Sequence, residues 1–214
     1  MAGIVICLQV KRLRLHMRHA LKEWNCNIEA LGEGQIIALW RKGGIEDSPS
    51  IRVPHETFKT ENKQFILFPT NTHQNHDKIK QTYWNHLADN SGPNRDNQIR
   101  VKYWAEAEEE MEPQNLEQLL NASSELMNSN EYLISSWNLH PEHKGKIITL
   151  RIYKLLNPIL IPNSPSYSGC KSWIDLNIDI PKIGSRPVLS FKEFSQKSRL
   201  IRALVEQVQE KVPA

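Results

Sequence analysis

The chain has 214 residues, 39% of them apolar and 24% charged, a globular balance that excludes a disordered or fibrous chain and allows a sizeable core. No apolar run reaches the roughly 18 to 20 residues that span a bilayer, and the three widely spaced cysteines, Cys7, Cys26 and Cys170, exclude a disulfide framework and a CxxC zinc site and fit a reducing cytoplasm. The formal charge of +3 comes from 27 basic against 24 acidic residues. Lys11, Arg12 and Arg14 supply all of that excess, so net charge alone carries no argument for nucleic acid.

Residues 1–16 place an apolar stretch before these charges, the reverse of a secretory signal. They read as a tail or an over-extended start, with Met17 as the initiator. Residues 24–31 mix polar and apolar side chains in near alternation until Gly32-Glu-Gly34 breaks the pattern, and residues 35–41 (Gln-Ile-Ile-Ala-Leu-Trp-Arg) resume it. Two short runs around a Gly-x-Gly turn predict a β-hairpin ending at Gly43-Gly44. Residues 46–63, with Pro49 and Pro54, read as loop, and residues 64–68 as a strand stopped by Pro69.

From Asp77 onward, Ile79, Tyr83, Trp84 and Leu87 share one helical face. Residues 89–97 (Asp-Asn-Ser-Gly-Pro-Asn-Arg-Asp-Asn) have linker composition, and residues 99–105 suit a strand. The acidic run at 106–112 reads as a solvated helix face. Pro113 then opens a helix carrying Leu116, Leu119, Leu120 and Leu126. Residues 146–156 are long and β-branched, hence a strand. Residues 157–190 hold five of the twelve prolines and read as extended chain and loops with a short strand near residues 173–176. Ser190 and Glu193 form a capping box opening a helix whose stripe is Phe194, Ile201, Leu204, Val205 and Val208.

Short strands with helices that do not alternate strictly with them indicate an α+β fold. The expected sheet is mixed or antiparallel, open or barrel-like, with packed helices and a C-terminal amphipathic helix. The chain divides into an N-terminal lobe at 17–88, a linker at 89–97 and a C-terminal lobe at 98–214, unless the two lobes form one continuous domain.

Five segments in order carry a resemblance: Ala20-Leu-Lys-Glu-Trp24, Glu29-Ala-Leu31, Arg41-Lys-Gly-Gly-Ile45, Leu67-Phe-Pro-Thr70 with His73-Gln74, and Gly169-Cys-Lys-Ser-Trp173. Together they resemble a family of bacterial domains of unknown function, number 1802, from about residue 18 to about residue 178. Trp40 departs from the aliphatic residue expected there, and residues 45–65 are loosely matched. The resemblance implies Met17 as the start and brings no activity with it.

Three chemistries fit these motifs. Arg41 and Lys42 beside Gly43 and Gly44 could cradle a phosphate, since glycines let backbone N–H groups approach and Arg grips with two hydrogen bonds. Lys22, Trp24, Thr70, His73, Gln74, Lys171 and Trp173 complete a candidate ligand-binding set, with aromatics beside cations for stacking a base. This makes a nucleic-acid or phosphate-ligand binding module the leading expectation. It involves no cofactor.

The second chemistry is hydrolytic. Glu23 and Glu29 flanking a segment near Lys22 match the donors of a metal-dependent nuclease. His73 would be an acid–base group and Cys170, beside Lys171, a nucleophile. A divalent metal enters only on that reading. The third possibility is an interaction protein whose motifs merely specify the fold: a polar turn at 41–44, a loop histidine, a structural cysteine and core tryptophans.

Overall fold

The computed structural model of the protein describes residues 16–42, 60–88 and 97–207. Gly43, Gly44, most of the 46–63 loop, residues 89–96 of the linker and Val208 lie outside the described residues. Strands β1 (His16–Trp24), β2 (Ala38–Lys42), β3 (Gln64–Thr70), β4 (Gln98–Met111), β5 (Gly145–Pro162), β6 (Trp173–Pro181) and β7 (Arg186–Pro187) form one sheet. Its order is β2-β5-β4-β3-β1-β6, with β7 against β5. The pair β1–β3 is parallel, aligning Ala20 with Ile66 and Trp24 with Thr70, while the other pairs are antiparallel. The fold is α+β with an open mixed sheet. β3 and β4, on either side of residues 89–96, are neighbours in it.

The longest pairing in the sheet is the ribbon β4–β5, whose register shifts twice. Between the pairs Val101–Ile159 and Tyr103–Lys154, β5 carries residues 155–158 opposite Lys102 alone. Pro158 has no N–H to donate, and extra residues on one strand bend it sharply. The far half of the ribbon thereby brings Ile99, Val101 and Ile161 into one core with Ala20, Ile66, Phe68, Ile174 and Ile180.

The helices are α1 (Asn25–Gly32), α2 (Leu116–Asn121), α3 (Asn130–Asn138) and α4 (Phe191–Glu206). α1 shares a second core with Leu21, Phe65, Leu67, Leu150 and Trp173. α2, α3 and α4 share a third with Trp40, Met111 and Ile147. No helix among the described residues is long and apolar enough to cross a membrane.

Several expectations are corrected. Residues 25–32 are helix, not a hairpin strand. Nearly every side chain there is buried, including Asn25 and Asn27, so the segment shows no polar face from which a 3.6-residue period could be read. The acidic run is the second half of β4. Its carboxylates meet cations from elsewhere: Glu110 with Lys146 at 2.7 Å and Glu109 with Arg202 of α4 at 2.9 Å. Cross-strand and helix-borne partners let an acidic stretch stay extended.

Residues 76–78 and 81–88 are 3₁₀ turns. Pro69 lies inside β3 rather than ending it. β1 begins at His16 and so runs through the proposed start, a strand the sequence reading did not include. The C-terminal helix holds as expected, with both halves of the Ser190–Glu193 capping box formed.

Candidate functional site

A cleft of about 890 Å³ opens where the parallel strands β1 and β3 end, at Trp24 and Thr70. β2 contributes Trp40 and Arg41, the turn after β3 contributes His73, the approach to α3 contributes Asn128, and α3 itself Tyr132. The far wall is the segment 167–172 that leads into β6. Tyr167 anchors that wall: it is buried, packs edge-on against Phe68 at 5.4 Å, and accepts the Asn177 N–H through its hydroxyl at 2.9 Å.

At the floor lies a buried ion pair. Arg41 Nη1 donates to Glu23 Oε2 at 3.0 Å, and Arg41 Nη2 donates to Ser172 Oγ at 2.7 Å. The other carboxylate oxygen of Glu23 accepts the Trp24 N–H at 2.7 Å and the Asn27 amide at 2.9 Å. Both oxygens are thus engaged at the first turn of α1, where the helix dipole favours a negative charge. Glu23 acts here as a positioned anchor for Arg41, with both oxygens engaged.

Three lysines line the cleft without a carboxylate partner among the described residues. Lys22 donates to the Tyr167 and Gly169 carbonyls, both at 2.8 Å, which leaves one of its three N–H groups. Gly169 presents its carbonyl from a backbone with φ +88°, a conformation suited to glycine. Burial pushes the Lys22 ammonium below the usual lysine value, and the nearby Lys171 pushes in the same direction. Lys78 donates to the His73 carbonyl at 2.8 Å and stands 5.6 Å from the Trp24 ring. Lys171 has no hydrogen-bond partner among the described residues.

The candidate residues divide between this cleft and other duties. Lys22, Glu23, Trp24, Arg41, Thr70, His73, Cys170 and Lys171 all line it. Lys42 turns away and donates to the Ser136 and Trp137 carbonyls at 2.8 and 2.6 Å, closing the last turn of α3. Glu29 pairs with Lys102 at 2.9 Å, so Glu23 and Glu29 are each held by a different cation. Gln74 reaches the Cys26 N–H at 3.5 Å.

Trp173 is fully buried between His19, stacked at 4.8 Å, and Phe65, edge-on at 5.0 Å. His73 stands at φ +66° on the cleft rim, and no hydrogen bond joins its ring to Cys170 or Glu23 among the described residues. Sequence reasoning missed Asn128, Tyr132 and Lys78 as cleft residues. The only local signal was Ser129, whose hydroxyl caps α3 by accepting the Tyr132 N–H at 3.2 Å.

A second groove, of about 720 Å³, lies along β1 and β6. Most of its charges meet opposite ones: Arg18 grips Asp179 at 2.6 and 2.9 Å, Lys63 faces Glu106, and His19 sits between Glu61 and Asp175, while Lys182 donates to Gln64 at 2.7 Å. The contrast with the lysine-rich cleft directs the functional reading to the latter.

A family model described as a domain of unknown function (DUF1802) matches residues 20–199. No curated protein and no solved structure matches the chain.

Proposed function

The chain belongs to the DUF1802 family, whose description names no activity, and from the cleft itself we propose that it is a binding module for a phosphate-bearing ligand, either free or within a nucleic acid. One observation carries this reading. Four cations line the cleft against a single carboxylate, Glu23, and that carboxylate is engaged by Arg41. Lys22, Lys78 and Lys171 are left with their charge unopposed among the described residues. Partly desolvated cations without counter-charge attract an anion, and phosphate oxygens accept from several donors at once.

A metal-dependent hydrolase draws less support, because Glu23 and Glu29 are separately committed to Arg41 and Lys102. The unpaired thiols Cys26 and Cys170 accord with a reducing, cytoplasmic setting for the module.

The test is a salt titration of binding to short single- and double-stranded RNA and DNA, and to inorganic phosphate. Binding that weakens linearly in log salt, and falls at least tenfold in a Lys22→Gln/Lys171→Gln variant, is expected. Absence of binding to all of these at low salt would sink the proposal.

A further inference from the structure

Resting on the phosphate reading above, we propose that the cleft also reads a nucleobase, with the Asn128 side-chain amide as the reading group and Trp24 and Tyr132 as the aromatic wall. The ligand is then a nucleotide unit.

Asn128 is only 6% exposed and lines the cleft. Its amide makes no hydrogen bond within the protein among the described residues, and neither amide atom is among those sealed from solvent without a partner. It therefore faces cleft space. Buried amides are bonded in the great majority of cases, so one that is nine-tenths buried and open only to a cleft marks a place for a ligand atom.

The side chain is carried on a pinned backbone. Asn128 forms an antiparallel bridge with Ile79. On either side, Lys80 N–H donates to the Met127 carbonyl at 3.0 Å and Ser129 N–H to the Lys78 carbonyl at 3.0 Å. The Ser129 hydroxyl adds a bond to the Asp77 carbonyl at 2.8 Å. A group fixed in this way binds without an ordering cost of its own backbone.

The chemistry of the amide selects the ligand. A primary amide offers one acceptor and a donor pair side by side. A phosphate, rich in acceptors, would use the Nδ2 donors and set its own oxygens against Oδ1. A planar edge with an adjacent donor and acceptor, as every nucleobase has, satisfies both atoms together.

The aromatic wall suits the same partner. The Trp24 and Tyr132 rings lie 5.5 Å apart, tilted by 54°. The Trp24 indole N–H is already spent on the Thr72 carbonyl at 3.1 Å, so within the cleft this ring offers apolar surface. The Tyr132 hydroxyl has no partner among the described residues. At neutral pH a phenol carries its proton and can donate, and burial, and then Glu23, pushes this one above its usual value. Stacking surface beside cations is the arrangement that holds a base while its phosphate is gripped.

The experiment is calorimetric titration of the full chain with the four ribonucleoside 5′-monophosphates, ribose 5-phosphate and inorganic phosphate, on the natural protein and on Asn128→Leu. At least one nucleotide should bind tenfold or more tighter than ribose 5-phosphate. Asn128→Leu should erase that advantage while leaving ribose 5-phosphate affinity within about twofold. Asn128→Asp, which trades the donor for a second acceptor, should reorder the bases.

Ribose 5-phosphate binding as tightly as every nucleotide to the natural protein would overturn the base reading and leave the phosphate reading standing, without reliance on any variant. Equal weakening of both ligand classes by Asn128→Leu would do the same. Failure of every phosphate compound to bind would remove both.

Discussion

Glu23 and Arg41, eighteen residues apart in the chain, meet at 3.0 Å in the floor of the cleft, where the Glu23 side chain is 6% exposed and that of Arg41 16%. The pair joins β1 to β2, which are not neighbours in the sheet, and through the Arg41–Ser172 bond it also ties in the start of β6. Arg41→Leu would leave the Glu23 carboxylate buried with only its neutral donors. Removing one partner of a buried pair costs about 3 kcal/mol or more. Urea unfolding should show a loss of that order, and Glu23→Gln added to Arg41→Leu should recover part of it.

Lys22 gives the cleft a pH signature. Its ammonium is lowered from 10.5, first by burial, while Cys170 opposes the shift and Lys171 adds to it. Between the lowered folded value and 10.5 the unfolded chain holds more protons than the folded one, so this group's contribution to stability rises with pH across that window. Anion binding has the opposite sense. It favours the ammonium, takes up a proton, and weakens as pH rises through the same window. Calorimetry in two buffers of different ionisation heat should reveal the proton uptake, and Lys22→Gln should abolish it.

The two described cysteines should differ sharply in reactivity. Burial, followed by the neighbouring Glu23, pushes the Cys26 thiol up to about 12. Cys170 is exposed on the cleft wall. Since the thiolate is the reactive form, maleimide at pH 8 should label Cys170 rapidly and Cys26 only after denaturation. Peptide mass mapping separates the two. A ligand in the cleft should slow Cys170 labelling severalfold.

Gly145, at the start of β5, lies against the Trp40 ring, and a Cβ added there would overlap it. Trp40 is held by an indole N–H bond to Ser136 Oγ at 3.0 Å. Gly145→Ala should destabilise by about 1 to 3 kcal/mol through overpacking. A shifted tryptophan emission would mark Trp40 as the ring displaced. Unchanged stability and emission would contradict the packing described.

Ser190 caps α4 by accepting the Glu193 N–H at 3.3 Å, while Glu193 accepts the Ser190 N–H at 2.9 Å. Ser190→Ala should cost about 1 kcal/mol of stability, measured by thermal unfolding, and should leave ligand affinity unchanged because α4 lies away from the cleft.

By itself the sequence determined the elements whose signals are local. The Ser190–Glu193 cap and its apolar stripe specify α4, and the β-branched run at 146–156 specifies the centre of β5. The motif segments around Lys22, Thr70 and Lys171 line one cleft. Such signals depend on neighbours within a turn or a strand, and a few residues contain them.

Only the tertiary structure decided which polar groups face the cleft. Lys42 was drawn to the end of α3, Glu29 to Lys102, and Trp173 into the core, while Asn128 and Tyr132 were brought in from a segment with no motif. The acidic run at 106–112 became a strand because Lys146 and Arg202 arrive beside it. A charged or amide side chain settles on whichever partner lies within about 3 Å. In this fold many of those partners lie far off in the chain, such as Glu110 and Lys146 with a separation of 36 and Arg41 and Ser172 with one of 131. That choice is made by strand order and register, which no short stretch of sequence contains.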